Sequence, residues 1–395
     1  IHWDVKNLRY AFDFLNHRRI PLSALERGNK QGRYPYYGAS GIIDYVDAYL
    51  FDEKLLLIAE DGANLLSKST PLAFLAEGKY WVNNHAHILK PKTEAYGFWE
   101  KLLCSVDYTV FITGAAQPKL SRENLGGIRL PIPPINEQLK IEKFIDQKTS
   151  EIDQAIAIKE QQIALLNERK QIVIQKAVTQ GLDQNVPMKD SGVEWIGQIP
   201  EHWEIIRSKF LFTQRKENSR KDDVQLSATQ AYGVIPQEEY EKRTGKSVVK
   251  ISLHLDKRKR VHLNDFVISM RSFQGGLERA WAEGCIRSSY VVLKPLKPID
   301  PDYYGYLFKT PMYIKALQNT SNFIRDGQDL NFGNFSQVDL FIVPLSEQKQ
   351  IVEYIKSQLG DFEKHLELLN QQIEKLKEYK TTLINDAVTG KIKVA

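Results

Sequence analysis

The sequence predicts an α+β chain built as an internal repeat: two globular α/β modules, each followed by one long helix. Three observations carry this. PPINEQLKIEKFI (133–145) returns at an offset of 210 as VPLSEQKQIVEYI (343–355), and the match runs ungapped to Ala177-Val178-Thr179 and Ala387-Val388-Thr389. Each copy places apolar residues at alternating steps of three and four. The stretch ahead of each copy breaks into short apolar runs separated by Gly, Asn and Asp, which is the pattern of a mixed module.

Within the repeat, Gln161-Gln162-Ile163 matches Gln371-Gln372-Ile373, and Leu166, Glu168 and Lys170 match Leu376, Glu378 and Lys380. The period is far longer than the ~20–50 residues of a solenoid, so a whole module is duplicated. Pro134 and Pro344 stand just before the helices. Asn136 and Ser346 read as N-caps, with Glu137 and Glu347 in the first turn, where the helix dipole favours negative charge. The second helix has a seam of Ile355, Leu359, Phe362, Leu366, Leu369, Ile373, Leu376, Lys380, Leu383 and Ala387. The first has Ile145, Thr149, Ile152, Ile156, Lys159, Ile163, Leu166, Lys170, Val173 and Ala177. A sustained three/four spacing is the coiled-coil signature. Two surface helices, each packed on its own module, are the alternative; the narrow stripe and polar flanks favour the coiled coil. Because the stripes share one register, the natural partner of each helix is the other. Such a helix is about 65 Å long, on the order of 15–20 base pairs of duplex. Antiparallel pairing would put the modules at opposite ends, about a pseudo-twofold axis. Glu137-Gln138 and Glu347-Gln348 read as parts of this architecture rather than of any chemistry.

The expected organisation is a first module at 1–135, a long helix at 136–180, a polar linker at 181–196, a second module at 197–345 and a long helix at 346–390. The frames of the modules echo each other. His2-Trp3-Asp4-Val5 resembles His202-Trp203-Glu204-Ile205, and Leu120-Ser-Arg-Glu-Asn124 resembles Leu330-Asn-Phe-Gly-Asn334. Between these ends they diverge, as two recognition modules with different targets would. Strands are expected at Lys54–Ala59, His87–Lys90, Val248–Ile251, Phe266–Met270 and Tyr290–Leu293, and helices at Ala95–Cys104 and Pro301–Ala316.

Hydrophobic content of 42% and charged content of 26% are those of a soluble globular protein. No apolar run approaches the ~18–20 residues that span a bilayer. The opening IHWDVKNLRY has no signal-peptide pattern and no initiator Met, which reads as a trimmed start. Cys104 and Cys285 have no Cys or His at metal-ligand spacing and form no disulfide framework, which points to a reducing cytoplasm. The net charge of +5 is uneven: residues 1–135 carry 16 Lys+Arg against 14 Asp+Glu and residues 181–345 carry 23 against 20, whereas both repeat segments are neutral. A basic excess confined to the modules allows a nucleic-acid partner.

At PYYGASGIIDYVD (35–47), LLLIAEDGAN (55–64), WVNNHAHILKP (81–91), GAAQPKLSRENLGGIRLPIPPINEQ (114–138), GVEWIGQIPEHWE (192–204) and the two EQ-headed helices, the chain resembles the specificity subunit of type I restriction–modification systems. The resemblance implies two target-recognition domains joined by two long helices that form an antiparallel coiled coil. It implies that each domain reads one half of a bipartite, asymmetric site in double-stranded DNA. The helix pair would set the spacer and dock two methyltransferase (modification) subunits, and through them restriction/translocase subunits. S-adenosylmethionine, ATP and Mg²⁺ would be bound by those partners and no cofactor by this chain. One departure is that GVEWIGQIPE precedes only the second module.

Motifs for chemistry are thin. Pro133-Pro134 lies between Ile132 and Ile135 and is not the Asn/Asp-Pro-Pro-aromatic motif of an adenine methyltransferase. Gly245-Lys246-Ser247 ends like a P-loop, but Tyr240 stands where its first glycine belongs. Asp61, Glu77 and Lys79 have the loose spacing of a Mg²⁺-dependent nuclease, against which Asp61-Gly62 reads as a turn. His85 and His87 alternate on a strand and read as structural or base-contacting rather than as zinc ligands. The expectation is a non-catalytic chain with no metal site; a self-contained nuclease and a coiled-coil scaffold without DNA binding are the competing readings.

DNA contact calls for Lys and Arg toward phosphates and Arg, Asn, Gln or Ser toward base edges. Candidates in turn-rich stretches of the first module are Asn29, Lys30, Arg33, Tyr34, Lys68, Gln117 and Lys119. In the second they are Arg215, Lys216, Arg220, Lys221, Lys257, Arg258, Lys259, Arg260, Arg271, Ser272, Gln274, Arg325 and Gln328. Arg271 and Gln274 stand out as base readers because Gly275 and Gly276 allow close approach of backbone; the Lys257–Arg260 run suits phosphates.

Overall fold

The computed structural model describes residues 2–114, 117–248, 257–320 and 330–394. The chain divides into two compact units, Ile1–Glu160 with Leu369–Ala395, and Gln161–Leu368.

In the first unit, strand Leu55–Ala59 is wholly buried in a four-stranded antiparallel sheet, ordered Phe12–Phe14, Ala86–Pro91, Leu55–Ala59, Ala73–Ala76. Its unbroken apolar run follows from cover on both faces. Leu56 and Ile58 enter one core with Phe98, Trp99 and Leu102 of helix Tyr96–Ser105, while Leu55 and Leu57 enter another with Phe51, Tyr80 and Ile88. A second sheet, ordered Gly41–Val46, Gln31–Gly38, Lys79–Val82, Phe51–Asp52, carries one parallel pairing, between Gln31–Gly38 and Lys79–Val82.

The second unit repeats the buried sheet in the order Phe212–Gln214, Val291–Pro295, Phe266–Ile268, Glu278–Arg279. Phe266 and Ile268 face one core and Val267 another, the same two-faced burial. Among the described residues, two antiparallel pairs stand in place of the second four-stranded sheet: the hairpin Leu226–Thr229 with Gly233–Pro236, and the long-range pair Lys259–Val261 with Gly284–Ile286. The divergence between the modules is therefore concentrated outside a shared central sheet. The expected strand at Val248–Ile251 falls largely outside the described residues. The expected helix at Pro301–Ala316 is two helices, Pro301–Leu307 and Pro311–Asn319. Pro311 has no N–H to give to the preceding turn, and Thr310 caps the new helix by accepting from the Tyr313 amide. Residues 181–196, read from composition as a linker, contain strand Met188–Asp190, paired with Gln198–Pro200, and Ile196 lies in the core.

The long helices are continuous over Ile135–Gln180 and Leu345–Val388. Both start one residue before the residues read as N-caps. The Pro134 carbonyl accepts from the Glu137 and Gln138 amides at 2.9 and 3.0 Å, and the Pro344 carbonyl from those of Glu347 and Gln348 at 2.9 Å each. Asn136 and Ser346 thus lie inside the first turn. A proline suits the cap because its missing N–H is not needed there, and the side chains that finish the helix start come from Glu and Gln.

Every seam position is buried or half-buried, including Thr149, Lys159, Lys170 and Lys380, while residues between them are mostly exposed. In the first unit Lys159 donates to Gln372 at 2.6 Å and Lys380 to Asp153 at 2.7 Å. A step back along one helix is a step forward along the other, so the pair is antiparallel. Ile141 and Ile145 share that unit's core with Ala387 and Val388. In the second unit Ile174, Ala177 and Val178 share a core with Ile351, Val352 and Ile355. The same register is used in both units.

Candidate nucleic-acid interface

Each module is closed by one strand pair, and the same latch ties it to the helix that follows. Asp4–Asn7 pairs with Arg129–Ile132, and Glu204–Arg207 with Asp339–Ile342. Just ahead of the first strand, His2 and Trp3 bond to Glu137 at 2.6 and 2.9 Å; His202 and Trp203 bond to Glu347 at 2.8 and 3.1 Å. Trp3 and His2 hold the Glu137 carboxyl below the ordinary range. Buried Gln138 donates to the Pro133 carbonyl and accepts from Thr93, and buried Gln348 donates to the Val343 carbonyl and accepts from the Asp300 amide.

In the first module the ribbon Gln31–Gly38/Gly41–Val46 gathers candidate groups. Asn29, Lys30 and Arg33 are exposed and Tyr34 is half-buried. The Arg33 guanidinium lies 5.1 Å from the Tyr34 ring, Tyr34 packs 5.1 Å from Tyr49, and Lys79 sits 4.8 Å over Tyr49. Ile42, Ile43 and Tyr45 are exposed on the paired strand. The ribbon bulges between Gln31 and Tyr34, and a Cβ on Gly32 would lie 2.4 Å from Asp47 Cα, so only glycine fits.

A second polar cluster gathers around Glu60. Arg19 pairs with Glu60 at 2.6 Å, Lys119 reaches Glu60 at 3.4 Å, and His87 donates from Nε2 to the Leu120 carbonyl and accepts at Nδ1 from the Asn16 side-chain amide. Burial works against the Glu60 charge, but Arg19, His87 and Lys119 outweigh it and keep the carboxyl low; burial pushes the His87 imidazole down. Lys119 is thus tied to a structural ion network, Lys68 pairs with Asp107 at 3.3 Å, and Gln117 is exposed. The nuclease reading loses its constellation here. Asp61 binds His85 at 2.8 Å, Glu77 faces Lys54 at 3.9 Å, and Lys79 pairs with Asp52 at 3.9 Å. Among the described residues no group of His, Cys, Asp or Glu is arranged to hold a metal ion.

In the second module several candidates turn inward. Arg215 binds Asp265 with two nitrogens, at 2.7 and 2.9 Å, and Glu217 with a third at 2.6 Å. The basic run is split by strand alternation: Arg258 is 5% and Arg260 8% exposed, Arg260 lies 3.1 Å from Asp223, and Lys259 donates to the Tyr290 carbonyl. Burial lowers the Lys259 pKa. Ser272 is fully buried and accepts from the Ser269 amide. In the fold Arg215, Lys259, Arg260 and Ser272 are engaged by internal partners and Arg258 is buried. Lys216, Arg220, Lys221, Lys257, Arg271 and Gln274 remain exposed. Arg325 and Gln328 lie outside the described residues.

Arg271 borders an open cleft of about 550 Å³ whose walls include Tyr232, Tyr240, Tyr290 and Arg287. Arg287 was missed in the sequence because a single basic residue in CIRSSY stands out only once the flanking strands, Gly284–Ile286 and Val291–Pro295, define a turn. The turn that carries Arg271 and Gln274 is firmly mounted. Lys309 links the Gly275 carbonyl to Glu278 at 2.9 and 2.6 Å, and Gln318 donates to the Phe273 carbonyl at 2.6 Å.

Two stretches, 1–168 and 200–378, match the family described as Type I restriction modification DNA specificity domain. The chain is 34% identical over 151 residues to a putative type I restriction enzyme specificity subunit, S.HindORF215P, of Haemophilus influenzae, covering 38% of each. It is 24% and 25% identical to two Methanocaldococcus jannaschii specificity subunits, the putative MjaX and the MjaVIII, covering 70% and 71% of this chain. These alignments span 38%, 62% and 66% of the relatives, less than two thirds of their length. The fold is shared with the HsdS subunit of Thermoanaerobacter tengcongensis (TM-score 0.54, 12% identity, 99% and 97% of the chains covered). It is also shared with a chain from a structure of complex assembly and conformational transition of the type I R-M system (TM-score 0.61, 13% identity, 99% and 98% covered). With both halves matched and the duplicated architecture in place, the chain belongs to the type I restriction modification DNA specificity family.

Proposed function

We propose that this chain is the DNA-reading subunit of a type I restriction–modification assembly, non-catalytic by itself and at work in the cytoplasm. Each module reads one half of a bipartite, asymmetric duplex site. The helix pair sets the spacer and docks two methyltransferase subunits, through which restriction/translocase subunits join. Those partners supply the S-adenosylmethionine, ATP and Mg²⁺ chemistry. The organisation proposed is that of recognition domains at 1–135 and 197–345 with helices at 136–180 and 346–390.

The observation that carries this reading is the pairing of sameness with difference. The latch, central sheet and helix register occur twice, while the exposed polar groups of the modules differ: a cationic–aromatic ribbon in one, an arginine-bordered cleft in the other. Identical mounts with unlike faces suit an asymmetric two-part target. Lys30, Arg33 and Tyr34, with Asn29, are proposed contacts of the first module, and Arg271 and Gln274, flanked by Lys216, Arg220, Lys221 and Lys257, of the second.

The test is reconstitution with the cognate methyltransferase, followed by sequencing of methylated DNA. Methylation confined to one two-part motif is expected. Methylation unrelated to such a motif, or independent of this chain, would sink the reading. A protein-only scaffold would leave the complex's duplex binding insensitive to salt, whereas phosphate contacts make affinity fall steeply as salt rises.

A further inference from the structure

We propose that Arg287 and Arg271 read guanines in the half-site of the second module, each from its own turn on one shared cleft. The inference rests on the DNA-reading function proposed above and adds a residue and a base identity to it.

Both arginines are exposed, both line the same cleft, and neither has a carboxylate partner among the described residues. That separates them from Arg215 and Arg260, which are held by Asp265 and Asp223, and from Arg279, which is held by Asp302. In this module most arginines near acidic groups are neutralised; these two keep their donors free at a concave surface. The turns beneath them are braced. Gly276 has φ +75°, and a Cβ there would fall 1.9 Å from the Phe308 carbonyl oxygen, so the Arg271 turn is seated directly on the backbone behind it. Arg287 begins a turn closed by the Tyr290 amide, which donates to the Arg287 carbonyl at 3.1 Å. Across the cleft, the Tyr232 amide donates to Thr229 Oγ1, which donates to the Gly233 carbonyl, fixing a third turn.

A guanidinium on a rigid base is suited to bidentate donation to O6 and N7 of guanine, the commonest specific contact in the major groove. A phosphate contact needs neither a cleft nor a fixed fork, since a single exposed charge suffices, such as Lys216 or Lys221.

The test uses the full chain assembled with its cognate methyltransferase subunits, with methylated sites read by sequencing, for wild type, Arg271→Ala, Arg287→Ala and Arg287→Lys. Each alanine variant is expected to lose roughly tenfold or more discrimination at one guanine, at different positions of the same half-site, with the other half unchanged. Lysine at 287 is not expected to restore the discrimination, because it lacks the fork. Uniformly weaker methylation with unchanged preference, rescued by Arg287→Lys, would make Arg287 a phosphate contact and overturn the proposal. Unaltered methylation would overturn it as well. The intact half-site reports that each variant is folded and assembled. A wild-type complex with no two-part target would instead sink the function on which this inference rests.

Discussion

Glu137 and Glu347 each fasten a His-Trp pair that stands far away in sequence, and in doing so tie the beginning of a module to its end. Elsewhere single carboxylates hold the second module in shape. Glu217 sits at about 2 because His262 and Arg215 donate to it. A carboxyl depressed in the fold contributes stability that is whole above its ordinary value of 4.5 and is lost as pH falls toward about 2. Glu217→Gln is therefore expected to lower the melting temperature at about pH 6, with the gap from wild type closing as the pH approaches about 2 in thermal melts. Gly276 is the other decisive position. Gly276→Ala must adopt a left-handed backbone and displace the Phe308 carbonyl, so a loss of about 2 kcal/mol or more is expected. Methylation assays should show the second half-site weakened along with it.

At the scale of elements, the seam explains why the repeat is kept in register. Ile355 is fully buried, whereas Ile158, on the outer face of the other helix, is 56% exposed. Chemical denaturation followed by helix signal is expected to show a loss of about 2–5 kcal/mol for Ile355→Ala, and a change within about 0.5 kcal/mol for Ile158→Ala. The periodicity alone made this contrast legible, because a coiled-coil face is set by local spacing. The buried strands were legible for the same reason: Leu55–Ala59 and Phe266–Ile268 are uninterrupted apolar runs. The helix at Pro301–Ala316 was misread as one element because its apolar pattern carries through Pro311, where the missing N–H ends one helix and starts another. The caps lie two residues earlier than Asn136 and Ser346, which fit a local rule, because the prolines already supply the first acceptor.

For the whole molecule, the proposed ruler makes a prediction of its own. Deleting one heptad from both long helices removes about 10 Å of rise, on the order of three base pairs. Methylome sequencing should then find both half-sites intact with a shorter spacer; an unchanged spacer would show that the helices do not set it. What the sequence determined by itself is the duplication, the two continuous helices, their shared seam and the modular plan, because each is written in local spacing or in direct repetition. What only the tertiary structure decided is which charged side chains are free. Arg215 looks like a surface cation until Asp265, fifty residues further on, occupies its fork, and Arg287 looks ordinary until three turns meet around one cleft. The cost of burying a charge depends on the partner that non-local folding brings beside it, and no local pattern records that partner.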